Sequence, residues 1–597
     1  MKKIKNIKNR IGKIALVLSC CAFVPAFTSC EDFLDRPPYD QFDDTEFWQS
    51  EAQARAFMYG VYPSIFPGYG TGTVDPTTFY FETSNDDYMS GIVQTELYGS
   101  PGNDAIPTSG GGWSFTDIRK ANYIIENVDR LPLDEASVNH WRGVGRFFRA
   151  VFYSNMVFTF GDVPYMDKVP VASNKKEDLD YLYKDREPRT LVVGKIMEDF
   201  QYAMDHCRTN DGSLQINKYV AAAMASRLLL REGTYLKYHN LDAAKATECL
   251  EMAKAASELV MSNTSYKLSD DYKALFASDD LGSNPEVIMY RKYAVGVLEH
   301  NMQTTTTSFS VQGASRSLAE SFSTSEGFPI YWNNAYWMAP ASDDFFANRD
   351  PRLTLIFRSG YYIRGEKNLG NISFAISGFS CHKYIDDAKF DPASTLYARG
   401  KNITDAPCLR LGEVLLNYAE ICYELGLLTQ GILDQTINVL RDRKSVGMPH
   451  LQMVGGKPAV DGQEYDDPKR LQLNPANDVS ELLWEIRRER RVELAHEGFR
   501  RNDLKRWKKL DYMMNAINPD IRYGAYIRLE DYKDKDASIV VEDPADAKEG
   551  YILGNTGAQR VIMPTEKNYI SPVPADEIGK YANHGYKLSQ TKAWESE

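Results

Sequence analysis

Between Leu411 and Leu425 the apolar side chains Leu411, Val414, Leu415, Tyr418, Ala419, Cys422 and Leu425 recur at i, i+3, i+4, i+7, i+8, i+11 and i+14. At 3.6 residues per turn that spacing gathers them on one stripe, which predicts a helix with one buried face. Such a face needs a partner, and the chain supplies one at once. Gly426 stands where a left-handed cap belongs, and Leu433, Thr436, Ile437 and Leu440 start a second helix on the same spacing, so residues 410–443 read as a helical hairpin. A second hairpin fits residues 217–261, with Val220, Met224 and Leu228 on one helix and Ala246, Cys249, Leu250, Ala253 and Val260 on the other. A third fits residues 117–160, where Ile118, Asn122 and Ile125 precede a long helix carrying Trp141, Phe148, Phe152 and Met156, stopped by Gly161 and Pro164. Repeated helix pairs without a strict 34-residue period predict a mainly α fold, a tetratricopeptide-like superhelix of helical hairpins.

The chain is long enough for a large core, with 597 residues of which 43% are hydrophobic. Its 69 Lys and Arg against 82 Asp and Glu leave a net charge of -13, a balance that argues against nucleic-acid binding. Mean hydropathy is -0.43, and the absence of an apolar run of about 18 residues excludes a polytopic membrane protein. The N-terminus carries an address. Lys2, Lys3, Lys5, Lys8, Arg10 and Lys13 precede an apolar stretch from Ile14 to Phe27, which ends in Thr28, Ser29 and Cys30. That is a secretory signal pattern over residues 1–29, with Cys30 as the expected lipidation site. Val17-Leu18-Ser19-Cys20 offers a competing cleavage site, but too short an apolar stretch precedes it. Beyond Cys30 the five cysteines, Cys207, Cys249, Cys381, Cys408 and Cys422, show no C-x-x-C spacing and give no disulfide framework or zinc site; Cys249 and Cys422 fall on apolar helical stripes and read as buried side chains, with pairing of two of the five left open in a secreted chain.

Long stretches of another kind separate the hairpins, at residues 66–113, 278–408, 444–478 and 516–568. Residues 66–113 hold nine Gly, four Pro and eight aromatics, Phe66, Tyr69, Phe79, Tyr80, Phe81, Tyr88, Tyr98 and Trp113. Phe322, Phe328, Tyr331, Trp332, Tyr336 and Trp337 repeat the theme. Flexible backbone bearing aromatic faces suits a loop-rich binding surface, although large rings under loops serve equally well to cap a core. Asn85-Asp86-Asp87 is able to hold structural calcium, yet such residues more often form turns.

Near the C-terminus, Asp478 and Glu481 have capping-box spacing and open a helix that Gly498 ends. Glu481, Glu485, Glu489, Glu493 and Glu497 recur every four residues, so Arg487, Arg488, Arg490 and Arg491 must offset their repulsion. Glu485 with Arg488 and Arg490 with Glu493 are suitably spaced within the helix, and the remaining arginines are expected to clamp other elements. Catalytic signatures are missing: His496-Glu497 lacks a second histidine, and no G-x-S-x-G, P-loop or EF-hand pattern occurs. The expectation is that the protein is not an enzyme. A surface glycoside hydrolase, motivated only by plentiful carboxylates, is the weakest alternative.

In chain order, Ser29–Asp35, Arg146–Tyr153 with Phe160–Pro164, Leu409–Glu420, Arg487–Trp507 and Tyr569–Ile578 resemble the SusD/RagB family of surface nutrient-binding lipoproteins. The resemblance covers the whole mature chain, read as an N-terminal region at 30–260 and a C-terminal region at 261–597. It implies a tetratricopeptide-like scaffold, lipid-anchored at the outer membrane and facing the cell exterior. It also implies a SusC-like TonB-dependent transporter as partner, to which an oligosaccharide or polysaccharide is delivered with no bond made or broken. A peptide-binding receptor is the alternative within the same family. The family's aromatic arc corresponds here to Asp87, Tyr88, Tyr98 and Asn103 from the early loop and to Tyr293, Phe309, Trp332 and Trp337 from the middle of the chain. Tyr88 stands where a tryptophan is typical. No cofactor is implied beyond the calcium noted above.

Overall fold

A computed structural model describes residues 47–74, 85–90, 105–171, 173–308, 312–332, 342–359, 375, 377–389, 398–528, 549–553 and 564–595. Its spine is a series of paired helices. After α1 (Glu51–Tyr59) come α2 (Thr116–Asn127) and α3 (Glu135–Phe160), then α4 (Arg189–His206), α5 (Lys218–Tyr238) and α6 (Ala243–Met261). Further on lie α7 (Leu411–Glu424), α8 (Glu481–Glu493) and α9 (Arg500–Arg506). Each of α2 to α7 packs on the next in order, which is the stacked-hairpin architecture that the apolar periodicity implies.

Local chemistry sets the ends. Asp134, Asn217 and Asp242 cap α3, α5 and α6 by accepting backbone N–H groups that have no partner inside the helix. Gly161 ends α3 at φ 75, a conformation that costs glycine little. Close approach is equally specific: a Cβ at Gly233 on α5 would lie 2.8 Å from Leu250 Cγ and 3.0 Å from the Ala246 carbonyl on α6. The hairpin after α7 differs from expectation. Its second limb splits into Gln430–Gln435 and Ile437–Arg441, because Thr436 leaves helical geometry (φ -126, ψ -87) and its hydroxyl donates back to the Ile432 carbonyl at 2.6 Å.

Small antiparallel ribbons tie the inter-helix stretches together: β1 (Tyr88–Ser90), β2 (Val287–Arg291), β3 (Gln312–Ala314), β4 (Ala406–Arg410), β5 (Gln452–Val454), β6 (Lys457–Val460), β7 (Gln463–Glu464), β8 (Tyr523–Arg528) and β9 (Glu549–Leu553). They pair as β1–β3, β2–β4, β5–β6–β7 and β8–β9. A main core runs between the helices, and a second, rich in Tyr and Phe, lies beneath the loops. Among the described residues no helix is long and apolar enough to cross a membrane. Cys207, Cys249, Cys381, Cys408 and Cys422 are all free, and burial pushes the Cys207, Cys381 and Cys408 thiols up to about 12.

Helix α8 joins the two cores, giving Leu482 and Ile486 to the first and Val492 to the second. Eleven of its 13 residues are buried, so its charges cannot stay solvated and must be paired. Glu493 accepts from Arg410 (2.9 Å), Arg443 (3.0 Å) and Arg352 (3.2 Å), while Glu489 pairs with Arg352 (2.6 Å) and Arg441 (2.8 Å). Glu485 does pair with Arg488, as spacing suggests. The other intrahelical pair does not form: Arg490 instead reaches Asp503 at 2.8 Å and Asn417 at 2.7 Å, because Glu493 faces cations from outside the helix. Ser480, rather than Asp478, caps α8, its hydroxyl accepting from Leu483 N at 3.2 Å, while Asp478 pairs with Lys509. Burial raises the Glu489 and Glu493 carboxyls, but the surrounding arginines more than reverse this and hold both at about 2.

Breaking a buried pair strands its partner, at a cost of about 3–5 kcal/mol. Glu493→Gln is therefore expected to lower stability by about that amount in urea denaturation. Glu481→Gln, at the more exposed start of the helix, should change it by less than about 1 kcal/mol. Equal losses from the two substitutions would contradict the network.

Candidate functional site

The early acidic turn is built from its own side chains. Asn85 Oδ1 accepts Asp87 N at 2.8 Å, and the chain then enters β1, which pairs with β3 in the register Tyr88 to Ala314. Two arginines hold the turn down. Arg500 donates from Nε and Nη2 to the two Asp86 carboxylate oxygens at 2.7 and 2.8 Å, and Arg491 donates from Nε to Asp87 Oδ1 at 2.7 Å. Burial raises the Asp86 carboxyl, but Arg491 and Arg500 outweigh it and hold the group at about 2. Asp87, buried beside that second carboxylate, is shifted upward. The carboxylates that calcium would need are thus engaged by arginine. Among the described residues no group of His, Cys, Asp or Glu has a metal-binding arrangement.

Tyr88 is turned inward, with 3% of its surface exposed, and its hydroxyl lies 2.5 Å from His496 Nδ1. Burial, with Lys383 nearby, lowers the His496 pKa to about 3, so the ring is neutral and one of its nitrogens is available as an acceptor. Tyr293 is also interior. Its ring is parallel to Tyr69 at 6.3 Å and edge-on to His300 at 4.5 Å, and its hydroxyl donates to the Gly70 carbonyl at 2.9 Å. Asp87, Tyr88 and Tyr293 thus root the loops rather than line an open surface. Trp332 is placed differently: partly exposed, it lies parallel to Phe328 at 6.4 Å and meets the edge of Tyr465 at 6.3 Å. Beside it, Tyr331 accepts from Arg316 at 3.0 Å and carries Lys469 over its ring at 5.0 Å. Tyr98, Asn103, Phe309 and Trp337 lie outside the described residues, as does Cys30.

The sequence reading missed the clamp made by Arg491, His496 and Arg500 as part of the site, although the arginines left over on the charged helix were its signal. It also missed a cavity of about 270 Å3 enclosed by α5, α3, residues 64–68, β4 and α9, because residues more than 400 apart in sequence meet there. A smaller cavity of about 50 Å3 lies between Trp484, Trp507 and Tyr512 under α8.

Five buried histidines, at separate places in the chain, give the folded protein a pH dependence. Burial lowers His140, His239 and His382 to about 4, and His300 and His496 to about 3, from an ordinary 6.5. Between those values the unfolded chain binds more protons than the folded one, so stability is fully present above pH 6.5 and is lost as pH falls. Calorimetry at stepped pH should show the melting temperature beginning to drop near 6.5, before the carboxylates around 4.5 contribute. A flat profile down to pH 4.5 would refute the burial of these histidines in neutral form.

Residues 285–594 match the SusD family. Two curated relatives come from Formosa agariphila. SusD-like protein P38 is 21% identical over 549 residues, 87% of this chain and 94% of that protein. SusD-like protein P25 is 24% identical over 280 residues, 43% of this chain, and that match spans only 48% of P25. Of solved structures, a SusD-like protein from Bacteroides fragilis superposes with a TM-score of 0.62 at 20% identity, covering 93% of this chain and 100% of that one. A laminarin-binding SusD-like protein gives a TM-score of 0.52 at 17% identity, covering 91% and 100%.

Proposed function

This chain belongs to the SusD family, and from that premise we propose that it is a non-catalytic glycan-binding lipoprotein that passes an oligosaccharide or polysaccharide to a SusC-like TonB-dependent transporter. The family match over residues 285–594 carries the reading. Structural likeness along nearly the whole length, including a protein described as laminarin-binding, supports it. In this reading Cys30 bears the lipid, the protein sits on the outer face of the outer membrane, and ligand is received on the loop-rich side.

The described geometry suits that role. Sugar rings present flat C–H faces to aromatic side chains and hydroxyls to amides, acids and arginines. Trp332, beside Phe328 and Tyr331, offers such a face, with Tyr98, Asn103, Phe309 and Trp337 as further proposed contacts. Asp87, Tyr88 and Tyr293 then act beneath the ligand as supports. The non-catalytic assignment rests on the family match.

Isothermal titration of lipid-free protein beginning after Cys30, against plant, host and microbial polysaccharides, is expected to find one binding class. Trp332→Ala should weaken it about tenfold, or about 1.4 kcal/mol, with the melting temperature little changed. Binding of oligopeptides with silence toward every polysaccharide would replace glycan by peptide, and release of reducing ends would overturn the non-catalytic assignment. Cys30→Ala should move the protein from the membrane fraction to the soluble fraction with binding intact; continued membrane retention would refute the anchor.

A further inference from the structure

The cavity of about 270 Å3 between α5, α3, residues 64–68, β4 and α9 approaches the roughly 300–1,000 Å3 of small-molecule sites. Ser64, Asn155 and Asn502 are exposed at its rim. Its depths are charged but balanced. Arg227 holds Glu413 (Nε to Oε1, 2.6 Å), Arg410 holds Glu497 (2.8 Å), Arg490 holds Asp503 (2.8 Å), and Arg506 reaches out of the lining to Glu420 (2.6 Å). The three acids that line the cavity, Glu413, Glu497 and Asp503, are therefore each engaged by a cation.

Arg231 is the exception. Its Nη2 donates only to neutral acceptors, the Ser154 carbonyl and hydroxyl at 3.0 Å each and Asn155 Oδ1 at 3.1 Å. Its Nε is buried without a hydrogen-bond partner, and among the described residues no carboxylate forms an ion pair with it. More positive charge lies close by. The guanidinium sits 4.3 Å from the Phe158 ring centroid, and Lys505 Nζ lies 4.3 Å from the same ring and donates to the Phe158 carbonyl at 2.7 Å. Arg189 pairs with Glu232 at 2.6 Å, the acid shared by this group of cations. Burial pushes the Arg231 pKa down to about 9; Glu232 opposes this, and Arg189 and Arg227 add to the fall.

We propose that this cavity is a subsite for an acidic sugar residue, a uronate or sulfated hexose, whose oxyanion is taken by the Arg231 guanidinium while its hydroxyls meet the Asn155 and Asn502 amides. The proposal rests on the glycan reading and names a chemical class within it. A planar guanidinium matches carboxylate and sulfate oxygens in a two-pronged geometry. An anion entering here supplies the charge that Arg231 lacks and would be held more strongly than in water, since the surroundings screen it poorly. The rim amides supply the mixed donors and acceptors that ring hydroxyls require.

The test is titration and thermal shift of the full lipid-free protein with glucuronate, glucose and sodium sulfate. Glucuronate should bind and raise the melting temperature, glucose should do neither, and added sodium chloride should weaken the effect. Arg231→Gln should cut glucuronate affinity at least tenfold, and Arg231→Lys should restore part of it. If Arg231→Gln fails to fold, Asn155→Asp on the exposed rim places a competing carboxylate beside Arg231 and should produce the same loss. Glucuronate binding unchanged in these variants, or glucose binding equally well, would overturn the subsite. Sulfate binding as tightly as glucuronate would reduce it to an inorganic anion site and overturn the sugar assignment. Neutral polysaccharides binding while glucuronate is silent would refute only this subsite. Arg231-dependent glucuronate binding with every polysaccharide silent would instead remove the polymer-receptor reading and leave the subsite standing.

Discussion

The loop roots and the segments around them are held against one buried, highly charged helix. Helix α8 lies between the main inter-helix core on one side and the Tyr- and Phe-rich core on the other, so little of it reaches water. A carboxylate there without a partner would be prohibitively costly, and every neighbouring segment therefore sends in an arginine. Arg410 arrives from the end of β4, Arg441 and Arg443 from the broken limb after α7, and Arg352 from the turn that follows Asp350. Such pairs add little net stability over an apolar core, but they are directional. An arginine shifted by a turn would lose its acid, so the lattice fixes the register between segments distant in sequence.

The loop-rich side inherits that order. Asp86 and Asp87 are gripped by Arg491 from α8 and Arg500 from α9, and Tyr88 meets His496 in the turn between them. Tyr384 donates its hydroxyl to the His496 carbonyl, and Lys383 reaches Glu497, so the middle of the chain is pinned to the same turn. Binding loops rooted in this way pay less conformational entropy on taking up a ligand than loops hanging from a soft base. In the proposed function, the interior aromatics at the loop roots serve as support and the partly exposed Trp332 as contact.

The helices were legible in the sequence because periodicity is a local property: the stripe on α7, the paired stripes on α5 and α6 and the Gly161 stop on α3 each lie within one segment. The break at Thr436 was not, since a helical spacing of apolar residues does not register a hydroxyl that competes for a backbone carbonyl. The glutamate period on α8 announced that arginines had to compensate it, but which ones depended on tertiary contacts such as Arg352 with Glu489. For the site, residue type pointed to Tyr88 and Tyr293, yet a tyrosine near a turn reads alike whether its ring faces a ligand or a core. Only burial separates Tyr293, stacked on Tyr69, from Trp332. The 270 Å3 cavity had no sequence signature, because Asn155, Arg231 and Asn502 come from three helices or their ends.

The economy of charge then gives the unmatched arginine its meaning. The chain as a whole is acidic, with a net charge of -13, and at long range it would repel an acidic polymer. At physiological ionic strength, however, fields between exposed charges fade over about 8 Å, so the average charge does not decide what a recessed pocket accepts. Inside, the local balance rules. Where Arg352, Arg410, Arg441 and Arg443 around α8 face carboxylates, Arg231 on α5 faces the Ser154 and Asn155 oxygens and has Lys505 and Arg189 near it. A buried cation left without a carboxylate carries a cost, and in the proposed subsite an anionic ligand arriving through the rim would offset it.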